Sequence, residues 1–300
     1  LEELKNEKAV GITAGASTPN WLINEVVDFL KSNTSAIYRL LKYFSFLSFL
    51  PSLNFTLLFL GLLSFLDNGL NIKNLYLTFS LFSFLMLKYN LESLQNIKSF
   101  GFYYTIKGNF LKNHRTLVKS LIVIFAFLCA LSGFFYHPRI LASFVVFLIL
   151  NQIFLKTPFH FFMEPLILIG LALFFYPFWN LTFSLIFLQV FLLILFLRLY
   201  FEAVYFQTDG FLPENFLFSF FEYKENKIYR LMLITISLGA FFVLPLLYFN
   251  KFYIVFLIPW GLAYKLFVFL KRRPLGQIVY MENLSLILPL TFSLLSLLFK

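Results

Sequence analysis

From residue 36 onward, long apolar runs alternate with short polar connections. A membrane-crossing helix needs about 20 predominantly apolar residues. Nine runs fit that length: 43–66, 71–89, 116–136, 139–156, 162–180, 181–205, 228–249, 251–270 and 283–299. Pro51 predicts a kink in the first of them. Residues 1–31 follow a different pattern. Ala9–Thr13 reads as a short strand, Gly15 ends it, and Ser17-Thr18-Pro19 supplies a hydroxyl cap and a proline for a helix start. Leu22, Val26, Phe29 and Leu30 then recur at helical spacing, so this helix needs a partner for one apolar face. Residues 32–35, Ser-Asn-Thr-Ser, read as a linker on which it pivots. The predicted fold is an all-α, nine-helix integral membrane bundle over 36–300. A short strand–helix remnant of a soluble α/β domain precedes it, because 31 residues cannot bury a core of their own.

Composition rules out a soluble domain. The chain is 60% hydrophobic and 13% charged, with a mean hydropathy of +0.84. Soluble chains carry about 25% charged residues. The net charge of +10 does not indicate nucleic acid, since no basic domain stands outside the apolar runs. It follows instead from basic cytoplasmic loops. With the N-terminus inside, only Lys73, Arg139, Lys251 and Lys300 of the 24 Lys and Arg fall outside. The expectation is a multi-pass protein of the inner, cytoplasmic membrane. Its N-terminus and its two long loops, 90–115 and 206–227, would be cytoplasmic. The single cysteine, Cys129, cannot build an iron–sulfur cluster. Glu164, near Lys156 and His160, reads as an interfacial cluster.

The segment Val10-Gly11-Ile12-Thr13-Ala14-Gly15-Ala16-Ser17-Thr18-Pro19-Asn20-Trp21-Leu22-Ile23 resembles the C-terminal signature of the LytB/IspH family, 4-hydroxy-3-methylbut-2-enyl diphosphate reductases. The resemblance covers residues 1–31. It implies that Ser17 contacts a substrate diphosphate, as a hydroxyl at a helix N-terminus can. It also implies that the iron–sulfur cluster belongs to an upstream reductase part missing from this chain. That missing reductase domain is then the expected partner.

Residues 36–300 resemble the UbiA family of intramembrane prenyltransferases in span number and in the long loops after spans two and six. Tyr89-Asn90-Leu91-Glu92 sits where that family has its first aspartate motif. Arg198 and Glu202 through Asp209-Gly210 sit where it has its second. The resemblance implies a fold, a magnesium-bound prenyl diphosphate and transfer of its prenyl group to an acceptor. Glu202, Asp209 and Glu92 would hold the metal, and Lys107, Lys112, Arg115 and Arg198 the diphosphate. The loop at 90–115 contains no Asp, so half of the expected metal site is absent. Arg198 and Glu202, one turn apart, read equally as a pair within one helix or as one wall of a polar cavity. Two other readings stay open: a non-catalytic membrane anchor for the reductase, and a small-molecule transporter.

Overall fold

The computed structural model describes residues 20–66, 71–96, 106–136, 138–154, 163–175, 180–209, 225–272 and 278–298. The expected strand at 9–13 and Ser17 lie outside them. Among the described residues the chain is all-helical. The helices are α1 Asn20–Thr34, α2 Ala36–Phe46, α3 Phe49–Leu66, α4 Ile72–Asn96, α5 Ile106–Asn113, α6 Arg115–Tyr136, α7 Pro138–Phe154, α8 Met163–Phe175 and α9 Leu181–Asp209. They continue with α10 Glu225–Phe241, α11 Val243–Phe249, a tight 3-10 helix Lys251–Phe256, α12 Leu257–Lys271, α13 Ile278–Leu284 and α14 Ile287–Leu298.

Every predicted apolar run is mainly helical where it is described. Among the described residues six segments are long and apolar enough to cross a membrane: Phe49–Leu66, Arg115–Ser132, Leu181–Val204, Lys227–Phe249, Lys251–Lys271 and Val279–Leu297. This is a multi-pass membrane protein by length and composition. Of the other three expected spans, α4 is long but carries Lys73, Asn74, Lys88, Asn90 and Glu92, and α7 and α8 are described only over Pro138–Phe154 and Met163–Phe175.

Proline punctuates the bundle. It is the third residue of α3 (Pro51), α8 (Pro165), α11 (Pro245), α12 (Pro259) and α14 (Pro289). The first four N–H groups of a helix have no partner within it, so proline there forfeits no hydrogen bond. Pro51 therefore begins α3 rather than kinking a longer span. The break comes earlier, at Leu47–Ser48, where Ser48 has a φ of 64°. The Asn90 amide of α4 closes this elbow by donating to the Leu47 carbonyl at 3.2 Å.

The helix α9 is the hub: it packs against α1, α3, α8, α10, α11, α12 and α13, while α4 lies along α6 and α14 along α3. Gln189 of α9 ties two neighbours together. Its Oε1 accepts from the Trp260 indole of α12 at 2.6 Å, and its Nε2 donates to the Gly239 carbonyl of α10 at 3.1 Å.

The expected linker is not one. The helix α1 runs through Ser32, Asn33 and Thr34, and Ser35 alone separates it from α2, capping that helix by accepting from the Tyr38 N–H. Nor does α1 pivot. Asp28 is buried between α1 and α2, with Lys42 Nζ 2.5 Å from its Oδ2 and the Tyr38 hydroxyl donating to its Oδ1 at 3.1 Å. Lys31 of α1 lies over the Tyr38 and Tyr280 rings. Burial, together with the Asp28 charge, pushes the Tyr38 phenol above its ordinary range. Its hydrogen bond to Asp28 is thus fully present below about pH 10 and lost only as the pH rises further.

A Cβ built on Gly239 would overlap the Trp260 indole. Gly239→Ala must push that ring off Gln189, adding a lost buried hydrogen bond to an overpacking cost of about 1–3 kcal/mol. We expect a clear drop in thermal midpoint for the detergent-purified variant. Gly261→Ala should leave it unchanged, since nothing lies within 4 Å of a Cβ there.

Candidate functional site

Four helices bring charged and amide side chains to one buried point. The end of α4 supplies Lys88, Tyr89 and Glu92, the end of α7 Asn151, the start of α8 Glu164, and the last third of α9 Arg198 and Glu202. Lys88 and Glu164 are each 1% exposed. Lys88 Nζ donates to Glu164 Oε1 at 2.8 Å and lies 3.0 Å from Glu92 Oε1, its neighbour one turn along α4. Glu164 Oε1 also accepts from the Tyr89 hydroxyl at 3.2 Å and faces Arg198 Nη1 at 3.5 Å. Asn151 Nδ2 donates to Glu92 Oε1 at 2.7 Å. Glu202 lies within electrostatic reach of Arg198.

The local sequence explains the arrangement. Lys88 and Glu92 stand at i and i+4, as do Arg198 and Glu202, so each pair shares a helix face. Glu164 follows Met163 in the first turn of α8, where a carboxylate is favoured by the free N–H groups of a helix start. Burial of this many charges is costly unless they are paired with good geometry. In a membrane protein such residues mark binding or transport chemistry more often than scaffolding.

The expected site residues separate into groups. Arg198, Glu202 and Glu92 meet in this cluster. Lys112 and Arg115 are exposed at the junction of α5 and α6, and Lys107 is half-buried on α5, which packs against α1, α2, α4 and α6. Asp209 closes α9, but its side chain lies outside the described residues, as does Ser17. Asn90 turns away from Glu92: its amide donates to the Leu47 and Met86 carbonyls. Lys88, Tyr89, Asn151 and Glu164 are additions. Glu164 sits in the buried network, and its expected neighbours Lys156 and His160 lie outside the described residues. His114 is engaged by the Tyr43 hydroxyl and the Phe110 carbonyl.

Of the expected magnesium ligands, the Asp209 side chain lies outside the described residues, and the described donors alone do not form such a site. Among the described residues no three His, Cys, Asp or Glu gather as a cation site. Oε1 of Glu92 and Oε1 of Glu164 are turned onto Lys88, Asn151, Tyr89 and Arg198 instead. What the cluster can do is hold an anionic group on two cations, with three carboxylates available to balance or replace it. A separate apolar cavity of about 430 Å³, lined by Tyr76, Phe79, Leu128, Leu131, Ser132 and Phe135, opens at the far end of α4.

Residues 1–31 match the family described as LytB protein. Over 32 residues the chain is 69% identical to the 4-hydroxy-3-methylbut-2-enyl diphosphate reductase of Clostridioides difficile (strain 630). That stretch is 11% of this chain and 12% of the reductase, so the chain spans about an eighth of that curated relative. No solved structure matches the chain.

Removing one partner of a buried ion pair typically costs about 3–5 kcal/mol. Glu164→Gln should therefore lower the unfolding free energy by an amount of that order, read from thermal or denaturant melts in detergent. Replacing Lys88 and Glu164 together by Met and Leu should cost distinctly less than the sum of the two single changes. Strict additivity would show that the pair is not coupled.

Proposed function

We propose that the membrane domain binds a prenyl diphosphate at the Lys88–Glu164–Arg198 cluster and transfers its prenyl group to an acceptor, as the likeness to UbiA-type enzymes implies. The observation that carries this reading is the convergence of the α4 and α9 ends. These are the two places where the sequence resembles that family's diphosphate-handling motifs. The LytB match adds an independent link to isoprenoid diphosphates.

In this reading Lys88 and Arg198 receive the diphosphate and Glu164 is their resting counter-ion. The incoming anion displaces the Glu164 carboxylate, which takes up a proton or turns to Tyr89. The C1–oxygen bond of the allylic diphosphate then breaks, and the electron pair leaves with the diphosphate onto the two cations. The acceptor's nucleophilic atom bonds to C1 and loses its proton to solvent or to a nearby carboxylate. The apolar helices shield the allylic cation from water. In this reading the charge asymmetry sets this end of the bundle, and the N-terminus, on the cytoplasmic face of the inner membrane.

A second reading has its own support. The buried Asp28–Lys42 pair fixes a reductase-like helix to the membrane domain, which is what a non-catalytic anchor requires.

Equilibrium binding of farnesyl and geranylgeranyl diphosphate to the chain in lipid nanodiscs, with and without magnesium, separates the two. The wild type should bind. Lys88→Gln and Arg198→Gln should each weaken binding about tenfold or more, in line with about 1.5–3 kcal/mol for a lost charge-assisted hydrogen bond. Circular dichroism melts identify variants that are merely unfolded. No binding by the wild type, or unchanged binding by a folded Lys88→Gln, would leave the anchor reading.

A further inference from the structure

The helix α1 has two unlike faces. One is held by the buried Asp28, whose carboxylate is shared by Lys42 and Tyr38 of α2. The other, about 120° around the helix, presents Leu22, Val26 and Phe29, which are 40%, 43% and 54% exposed. Three apolar side chains in register on a helix ask for cover. The match to LytB proteins ends inside this helix, at residue 31, and the matched stretch is 12% of the reductase it resembles. By sequence, then, most of α1 resembles part of a reductase. By structure, it is clamped to a membrane domain by residues outside the match.

We infer that α1 is an adaptor: the Asp28 latch fixes it to the membrane domain, and the Leu22–Val26–Phe29 stripe seats the body of a LytB-type reductase. The reductase is thereby held at the end of the bundle that carries the ionic cluster. Two contacts set this position. The helix α1 touches α9 directly, and the α2–α3 elbow that follows α2 is bonded by Asn90, two residues from Lys88.

The alternatives fit less well. A helix that lies in a bilayer interface carries Lys and Arg beside its apolar stripe, whereas α1 carries Glu25 and Asp28 against Lys31 alone. The neighbouring α2 has the lipid pattern instead, with Ile37, Leu40 and Phe44 exposed beside an exposed Arg39. A stable second copy needs about 800 Å² per partner, more than three side chains supply. A helix that completes its own domain needs no such area.

The inference is independent of whether the cluster binds a diphosphate. Its test is photo-crosslinking in native membranes, on the protein expressed from its intact gene, with a benzophenone amino acid in place of Phe29 or, as a control, Ile37. Position 29 should give adducts whose peptides belong to a LytB-type reductase, and position 37 should give lipid adducts. Lipid, a second copy of this chain, or no polypeptide adduct at position 29 would overturn the docking. For the latch, Asp28→Ala should speed amide hydrogen exchange in α1 about tenfold or more while α4 keeps its protection. Unchanged exchange in α1 would overturn it, and the α4 amides distinguish a freed helix from global unfolding.

Discussion

Glu164 is the constraint around which the membrane domain is arranged. A carboxylate 1% exposed cannot stay ionised without compensation. Here the compensation comes from Lys88 and Tyr89 of α4 and Arg198 of α9. Those partners belong to segments that are distant in sequence. Their ends must therefore reach one depth. The rest of the packing is apolar and tolerant of sliding, as contacts among Phe and Leu side chains are. The ionic network fixes the register that such contacts leave loose.

The network also links the fold to its proposed chemistry. A scaffold needs charges to be neutralised; a binding site needs them to be exchangeable. Two cations faced by three carboxylates meet both demands, because an incoming polyanion can take over the cations while a carboxylate is protonated. A diphosphate suits such a site better than a neutral ligand. The apolar surroundings that make the charges costly also strengthen their grip on an anion.

Much of the helical architecture was legible in the sequence. Apolar runs of span length became helices, and of the four apolar positions at helical spacing in α1, Leu22, Val26 and Phe29 are exposed while Leu30 is half-buried. What the pattern hid were the breaks. The α2–α3 elbow turns at Ser48, a positive-φ position occupied by neither glycine nor asparagine, so no residue type announced it. Proline at the third position of five helices was the readable sign of where helices begin, yet Pro51 alone was weighed, and as a kink. Arg198, Glu202 and Glu92 were singled out by their likeness to family motifs, and the fold brings them to one place. Lys88 and Glu164 were assigned to loop-charge asymmetry and to the interface. The signal that could have found them is depth: Lys88, Asn151, Glu164 and Arg198 all fall toward the same ends of their alternating runs, with complementary charge. Nothing in the sequence around Asp28 marks it, and only the fold shows it reaching Lys42 fourteen residues on.

The central claim is that Lys88 and Arg198 hold a diphosphate in place of Glu164. A cryo-electron microscopy structure of the chain in nanodiscs with a non-hydrolysable prenyl thiodiphosphate tests it most directly. The account predicts phosphate oxygens about 3 Å from Lys88 Nζ and the Arg198 guanidinium, with the Glu164 carboxylate withdrawn and the prenyl chain running between the helices. Density for the ligand elsewhere, with Glu164 still bonded to Lys88, would contradict it.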